Sequence, residues 1–316
     1  MSADLDICIV SYNARQLLGQ CLRSLFATLG ARSPRAQVWV ADNGSPDASA
    51  DLVRREFPAV RLIENRQNLG FARANNQLLT LGRAPYALLL NSDTIVQPGA
   101  IERLFTFMEE HPRAGAVGAE LLNTDGTVQW SWSAFPTLWS ELVGREPRPY
   151  RPLALSGGGL AYQVDWVGGG CLLARRRAID QVGLLDERFF MYSEETDWCR
   201  RLRQAGWECY YLPGARVIHL GGGSSGRGNP AMLAQLYRSK LCYFRKHHGA
   251  LQAECLRVGL AARLALRAAL EAAGYLLSGG RYRRGARLAR QRLALAGELA
   301  RAHSGDGGSR HERSRA

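Results

Sequence analysis

Within residues 5–94, four short apolar runs each end in small polar residues, and each is followed by a segment of helical period. LDICIV (5–10) gives way to Ser11-Tyr12-Asn13 and then LLGQCLRSLFATL. VWVADNGS (38–45) ends at Asp42-Asn43-Gly44-Ser45 before ASADLVRREF, VRLIENRQNLG precedes FARANNQLLTLG, and YALLLNSDT turns polar at Asn91-Ser92-Asp93. This alternation admits few architectures. Apolar strands separated by helices are satisfied in a parallel α/β sheet covered on both faces. In open sheets of that kind a ligand binds beyond the carboxyl ends of the strands, where the SYN, DNGS and NSD loops converge. Loops there are polar in any case; three of them meeting at one edge mark it as the candidate site.

After Pro98 the pattern gives a helix (AIERLFTFMEEH), a strand (AGAVGAEL) and an NTDG turn suited to a hairpin. Residues 129–165, rich in Trp and Pro, show little periodicity and read as a loop segment. VDWVGGGCLLARR returns to strand character around Gly168, Gly169 and Gly170, and CYYLPGARVIHLGGGS is an apolar strand that delivers His219 to its end.

Between them FMYSEETDWCRRLRQAGW (190–207) places Glu194, Glu195 and Asp197 in a first helical turn, with Ser193 as N-cap. Trp198, Leu202 and Ala205 form the buried stripe, Arg200, Arg201 and Arg203 point mostly outward, and Arg201 is spaced to pair with Asp197. The macrodipole favours acidic residues at a helix start whatever the function, so this cluster has a structural reading beside a catalytic one.

With 316 residues, 46% hydrophobic and 22% charged, the chain can bury a full core. Its net charge of +13 is unevenly placed: residues 1–230 hold 24 Lys and Arg against 23 Asp and Glu, whereas residues 231–316 hold 17 against 5. We therefore expect a neutral globular domain over 1–230, a basic amphipathic helical extension over 231–303 and a disordered tail over 304–316. The extension lacks an apolar run of the roughly 18 to 20 residues that a transmembrane helix needs. It reads either as helices packed on the preceding domain or as an interfacial surface that holds the protein on an anionic membrane. No secretory signal is visible at the N-terminus, and the seven cysteines contain no C-x-x-C pair. The expectation is a cytoplasmic protein, peripheral on the inner face of the cell membrane, without a disulfide framework or zinc site. Nucleic acid is not an expected partner, because the basic charge is confined to the extension.

Asp93 and His219 both end apolar strands. A divalent cation beside a diphosphate takes one or two protein groups plus phosphate oxygens and tolerates an imidazole, so this pair suits Mg2+ or Mn2+. A histidine ending a strand also has an ordinary role as a hydrogen-bonded structural residue.

Taken in order, SYN, DNGSPD, NLGFARANN, LLLNSDT, WVGGGCLLARR, LDERFFMYSEETDWCRRLRQAGW and VIHLGGGS resemble a family 2 inverting glycosyltransferase of the rhamnosyltransferase-like branch, over about residues 4–226. The resemblance implies a GT-A fold, a Rossmann-like mixed sheet flanked by helices. It implies that Ser11, Tyr12, Asn13, Asp42, Asn43, Arg73, Asn91 and Ser92 line the nucleotide site, with Asp42 bonded to the pyrimidine. Trp166 and Gly168 to Gly170 would shape the sugar and acceptor site. Asp93 would be the metal ligand of the family's D-x-D element, whose first position here is Asn91, and His219 matches a position that completes the metal site. Glu195 would be the base that deprotonates the acceptor hydroxyl, with Glu194 the neighbouring alternative and Asp197 supporting the helix start. The implied donor is dTDP-rhamnose or another nucleotide sugar, and the implied acceptor a glycan or lipid-linked sugar of cell-surface polysaccharide assembly. Against a dinucleotide-dependent enzyme, G-x-G-x-x-G is absent after the first strand. The other reading is a non-catalytic nucleotide-sugar-binding or scaffold protein with the same fold.

Overall fold

The computed structural model describes residues 3–30, 33–144, 150–156, 158–221, 230–278 and 283–301. The expected tail over 304–316, and Gly222 and Gly223 after His219, lie outside them. The chain divides into two compact units, Met1–Phe135 with Pro147–Arg227, and Pro136–Glu146 with Gly228–Ala316.

In the first unit the strand and helix units follow the sequence pattern: β1 (Leu5–Ser11), α1 (Arg15–Thr28), β2 (Ala36–Asp42), α2 (Ser49–Glu56), β3 (Arg61–Glu64), α3 (Phe71–Leu81) and β4 (Tyr86–Asn91). Then come β5 (Thr94–Val96), α4 (Ala100–Glu110), β6 (Ala114–Leu122) and β7 (Trp132–Ser133). Helix α5 (Leu138–Val143) belongs to the second unit. The first resumes with β8 (Arg151–Ala154), β9 (Leu160–Val164), β10 (Trp166–Val167), β11 (Cys171–Arg175), α6 (Arg176–Val182), α7 (Glu194–Gln204) and β12 (Glu208–His219). The region 129–165 is therefore not a plain loop: it holds β7, α5, β8 and β9.

The main sheet runs β3-β2-β1-β4-β11-β6-β12-β9-β8, with β5 paired to β12. β3, β2, β1 and β4 are mutually parallel, while β11 lies antiparallel between β4 and β6, which makes the sheet mixed. Alternate residues of each strand serve opposite cores, as the period of two requires. Ile7, Ile9, Leu88 and Leu90 join Leu18, Leu22 and Leu104 of α1 and α4 on one face. Cys8, Ala87 and Leu89 join Leu78, Trp198 and Leu202 of α3 and α7 on the other.

The second unit is helical. α8 (Pro230–Leu277) breaks at Gly249, whose φ of 86° no helix accommodates, and α9 (Arg283–Arg301) packs against it. Leu256, Leu260 and Leu264 of α8 and Leu295 and Leu299 of α9 are buried. α5 is tied in by Glu141 to Lys240 at 2.6 Å and by Leu142, which closes on Gly259 so tightly that a Cβ has no room there. No helix among the described residues is long and apolar enough to cross a membrane.

Candidate active site

Strand register brings the polar loop residues to one level. Ser11 pairs with Asp42, and Val10 pairs with Asn91. The Ser11 Oγ and Asp42 Oδ1 atoms are buried without a hydrogen-bond partner, while Asp42 Oδ2 accepts from the Ser45 amide at 3.0 Å. Asn13, at φ 50°, donates its own amide to Ser45 Oγ at 2.9 Å and so ties the first loop to the second, with Tyr12 exposed between its neighbours. Asn43 has a different task. Its amide donates to Asn68 Oδ1 and the Gly70 carbonyl at 3.0 and 3.1 Å and accepts from Asn65 at 3.1 Å, so it fastens the loop before α3. Arg73 is exposed on α3, 3.8 Å from Glu187.

At the end of β4, Asn91, buried Ser92 and Asp93 meet His219. β5 and β12 pair Thr94 with His219, and the Leu220 amide donates to the Asp93 carbonyl at 2.9 Å. The His219 Nε2 atom lies 3.1 Å from Asp93 Oδ1 and 3.3 Å from Asn91 Nδ2, and Nδ1 lies 2.6 Å from Gln129 Oε1. A carboxamide oxygen only accepts, so Nδ1 donates to Gln129 and Nε2 is the ring nitrogen that faces Asp93 and Asn91. An imidazole nitrogen and a carboxylate oxygen facing each other suit a cation. At a separation of 3.1 Å both side chains would reach one divalent cation. No group of three or more His, Cys, Asp or Glu side chains suited to a metal occurs among the described residues. Asp93 and His219 are thus a two-residue donor set.

The carboxylates stand on the other side of Gly169. Gly70, at φ 82°, lets the chain pass so close to Phe190 that a Cβ would collide with its carbonyl, and the Phe71 amide donates to the same oxygen at 2.7 Å. Tyr192 and Ser193 follow with φ of 71° and 67°. Ser193 makes no side-chain cap, contrary to the sequence expectation; its left-handed backbone turns the chain sharply into α7. Asp197 is fully buried and bonded to Arg201 at 2.9 Å, and Arg201 is held inward by the carbonyls of Val182 and Leu184. Asp197 thus anchors the helix.

Glu194 and Glu195 are different, because Oε2 of each is buried without a partner. Burial pushes the Glu195 carboxyl up to about 7 against the pull of the Glu195 and Thr196 amides. Burial, then the neighbouring Glu195 charge, raises Glu194 well above the usual carboxylate range. A Cβ built on Gly169 would lie 4.0 Å from the Glu195 Cβ and 3.4 Å from the Phe71 ring, and the Gly170 carbonyl accepts from the Asn91 amide at 3.0 Å. The glycines bridge the carboxylate and cation ends. Gly168 donates to the Ser131 carbonyl at 2.7 Å, and Trp166 gives its indole N–H to the Ala134 carbonyl at 2.8 Å.

Gln129, Ser131, Gly70 and Phe71 were not foreseen as site residues. Gln129-Trp130-Ser131-Trp132-Ser133 does carry a signal, since polar and aromatic residues alternate with the period of a strand.

The model of the family described as Glycosyl transferase family 2 matches residues 6–183. Over 291 residues, 85% of this chain and 93% of the relative, the sequence is 33% identical to an N-acetylglucosaminyl-diphospho-decaprenol L-rhamnosyltransferase of Mycobacterium tuberculosis. The fold resembles that of the mannosyltransferase PcManGT from Pyrobaculum calidifontis in complex with GDP-Man and Mn2+, with a TM-score of 0.57 at 15% identity, covering 95% of this chain and 88% of that one. It also resembles S. aureus TarS 1-349 in complex with UDP, with a TM-score of 0.53 at 14% identity and coverage of 84% and 71%.

Proposed function

The chain belongs to glycosyl transferase family 2, and from that premise we propose that it transfers L-rhamnose from dTDP-rhamnose to a lipid-linked N-acetylglucosaminyl diphosphate, with inversion at the anomeric carbon, in cell-surface polysaccharide assembly. The fold is GT-A and the protein is a glycosyltransferase. The observation that carries the mechanism is the Glu195 carboxyl: partly enclosed, with one oxygen unpartnered, poised near neutrality and set beside Gly169.

The unpartnered Ser11 Oγ and Asp42 Oδ1 receive the base of the donor. Asp93 and His219 would hold a divalent cation, Mg2+ or Mn2+, which would supply positive charge beside the departing diphosphate. Glu195 takes the proton of the acceptor hydroxyl as that oxygen bonds to the anomeric carbon and the bond from carbon to the diphosphate oxygen breaks; the nucleoside diphosphate leaves. A base near pKa 7 is deprotonated often enough at neutral pH and remains strong enough to accept the proton. Gly169 presents backbone beside Glu195, where a side chain would crowd the sugar.

The second unit supports placement on an anionic membrane at the inner face of the cell. After the break at Gly249, Leu251, Val258, Leu266, Leu270 and Leu277 are exposed along α8. Every described carboxylate of this unit is paired: Glu141 with Lys240, Glu254 with Arg257, Glu271 with Arg292 and Glu298 with Arg238. Arg267, Arg287, Arg290 and Arg301 are exposed. An apolar stripe with basic flanks suits anionic headgroups, whereas two copies meeting through it would bring like charges together.

The test is a panel of nucleotide sugars with a prenyl-diphospho-GlcNAc acceptor and Mg2+ or Mn2+. Rhamnosyl product of inverted anomeric configuration supports the reading. Retention of configuration would refute the base mechanism, and turnover of a different donor alone would refute the sugar assignment. Binding of nucleotide sugar with neither transfer nor hydrolysis would favour a binding protein.

A further inference from the structure

We infer that Ser131 is a sugar-recognition residue, whose hydroxyl bonds one hydroxyl group of the transferred sugar or of the acceptor sugar beside Glu195. The inference rests on the glycosyl-transfer reading above.

The segment from Gln129 to Ser133 runs along both halves of the site. At its start Gln129 Oε1 accepts from His219 Nδ1 at 2.6 Å; the Ser131 carbonyl then accepts from the Gly168 amide at 2.7 Å, and Trp132 and Ser133 pair with Val167 and Trp166. Trp130 and Trp132 stack on each other with ring centres 5.6 Å apart, and Trp132 continues to Tyr162 and Tyr211. The stack holds Trp130 and Trp132 together with the tyrosines, while the Gln129 side chain is bonded to His219 and the Ser131 backbone to Gly168.

Ser131 is 5% exposed, and its Oγ is buried with no hydrogen-bond partner. Buried hydroxyls are seldom left that way. Among the described residues seven buried side-chain atoms lack a partner, and five of them sit on Ser11, Asp42, Ser131, Glu194 and Glu195. The other two belong to Glu102 and Glu271, whose second oxygens are bonded to Ser33 and Arg292. Unpartnered polar atoms thus concentrate where a ligand's polar groups belong. Ser11 and Asp42 suit the base and Glu195 the attacking hydroxyl, which leaves Ser131 without a role in either. It lies against Gly168, one residue from the glycine that faces Glu195. A serine hydroxyl both donates and accepts, as a sugar hydroxyl does, and it carries no charge with which to compete for phosphate or metal.

The experiment compares the full chain with Ser131→Ala and Ser131→Thr. Titrations use dTDP and dTDP-rhamnose, and transfer is measured to prenyl-diphospho-GlcNAc and to acceptors that lack single hydroxyls. Loss of one neutral hydrogen bond is worth about tenfold. Ser131→Ala should therefore retain the melting temperature and dTDP affinity of wild type and lose about tenfold in kcat/KM, with Ser131→Thr recovering part of it. If the partner is on the donor, dTDP-rhamnose affinity falls toward that of dTDP. If it is on the acceptor, donor affinity holds, acceptor KM rises, and one deoxy acceptor makes wild type and Ser131→Ala equal. Identical kcat/KM and affinities in wild type and Ser131→Ala would overturn the inference and leave a trapped water as the partner. Failure of the rhamnose reading is visible separately, as a wild-type chain that ignores dTDP-rhamnose; the same comparison then runs on the donor of the panel that wild type does turn over.

Discussion

His219 faces Asp93 with Nε2 at 3.1 Å because Gln129 occupies its other ring nitrogen at 2.6 Å. The glutamine decides which nitrogen of the ring is available, although it stands 90 residues away in sequence. A side chain that fixes the tautomer of a metal-binding histidine typically contributes about 10- to 100-fold in metal affinity.

Replacing Gln129 by Leu should therefore raise the Mn2+ concentration needed for half-maximal transfer by about 10-fold or more, with little change in melting temperature. Asp93→Ala should abolish metal-dependent transfer. Metal titrations of activity and calorimetric Mn2+ binding check both, and full turnover of wild type in excess chelator would rule out the cation.

Glu195→Gln keeps the shape of the side chain and removes the base. Transfer should fall by about two to four orders of magnitude while donor affinity stays near wild type. Glu194→Gln should cost much less. The reverse ranking would move the base by one residue, and two fully active variants would return the pair to helix-dipole stabilisation.

The raised carboxyl also sets a pH profile. Transfer should climb as pH rises through about 7, where Glu195 loses its proton, and level off above. Stability runs the opposite way. The folded protein holds a proton on Glu195 at pH values where the unfolded chain, near its ordinary 4.5, has lost it. That contribution is complete below about 4.5 and is lost as pH rises through about 7. Glu194, shifted in the same direction, adds to it. Melting curves of wild type and Glu195→Gln should thus converge in acid and separate toward pH 8, with the variant the more stable.

Two glycines should answer alanine differently. At Gly169 the added Cβ finds ordinary contact distances of 3.4 to 4.0 Å, so Gly169→Ala should fold normally and lose activity because the methyl enters the cleft. At Gly70 the backbone is left-handed and the Phe190 carbonyl fills the space, so Gly70→Ala should destabilise by roughly 1–3 kcal/mol. Thermal melts beside transfer assays separate the cases.

Leu266→Glu with Leu270→Glu should release the chain from anionic vesicles and leave soluble-donor hydrolysis unchanged. Wild-type binding should also fall with salt, since such attraction is screened over about 8 Å at physiological ionic strength. Equal sedimentation of both proteins would exclude the α8 stripe as the contact.

The parallel half of the sheet was readable because each strand switches abruptly from apolar run to polar loop, which places Ser11, Asp42 and Asn91 at one edge without further information. Asp93 and His219 were readable for the same reason. The partners of Asn43 were not: its side chain is engaged by Asn65, Asn68 and Gly70, a choice made by the conformation of a distant loop. Ser193 looked like a cap because serine before acidic residues usually is one, but the turn from Phe190 demands a left-handed backbone that points the side chain elsewhere. The strand at 132–133 was hidden by its shortness, since it is stabilised by β10 and by stacked rings rather than by local propensity.

β12 is the last strand of the first unit to be made, yet it lies inside the sheet, between β6 and β9. A chain still growing on the ribosome has completed β6, β9 and every helix through α7 before the strand that joins them exists. Until about residue 219 has emerged, β6 and β9 each present an open backbone edge, the kind of edge to which foreign strands add. The same late strand carries His219, 128 residues beyond its contact Asn91, so fragments that stop short of it lack both the seam of the sheet and the neighbour of Asp93. Translation therefore ends the period of greatest aggregation risk and completes the proposed reaction centre at the same step.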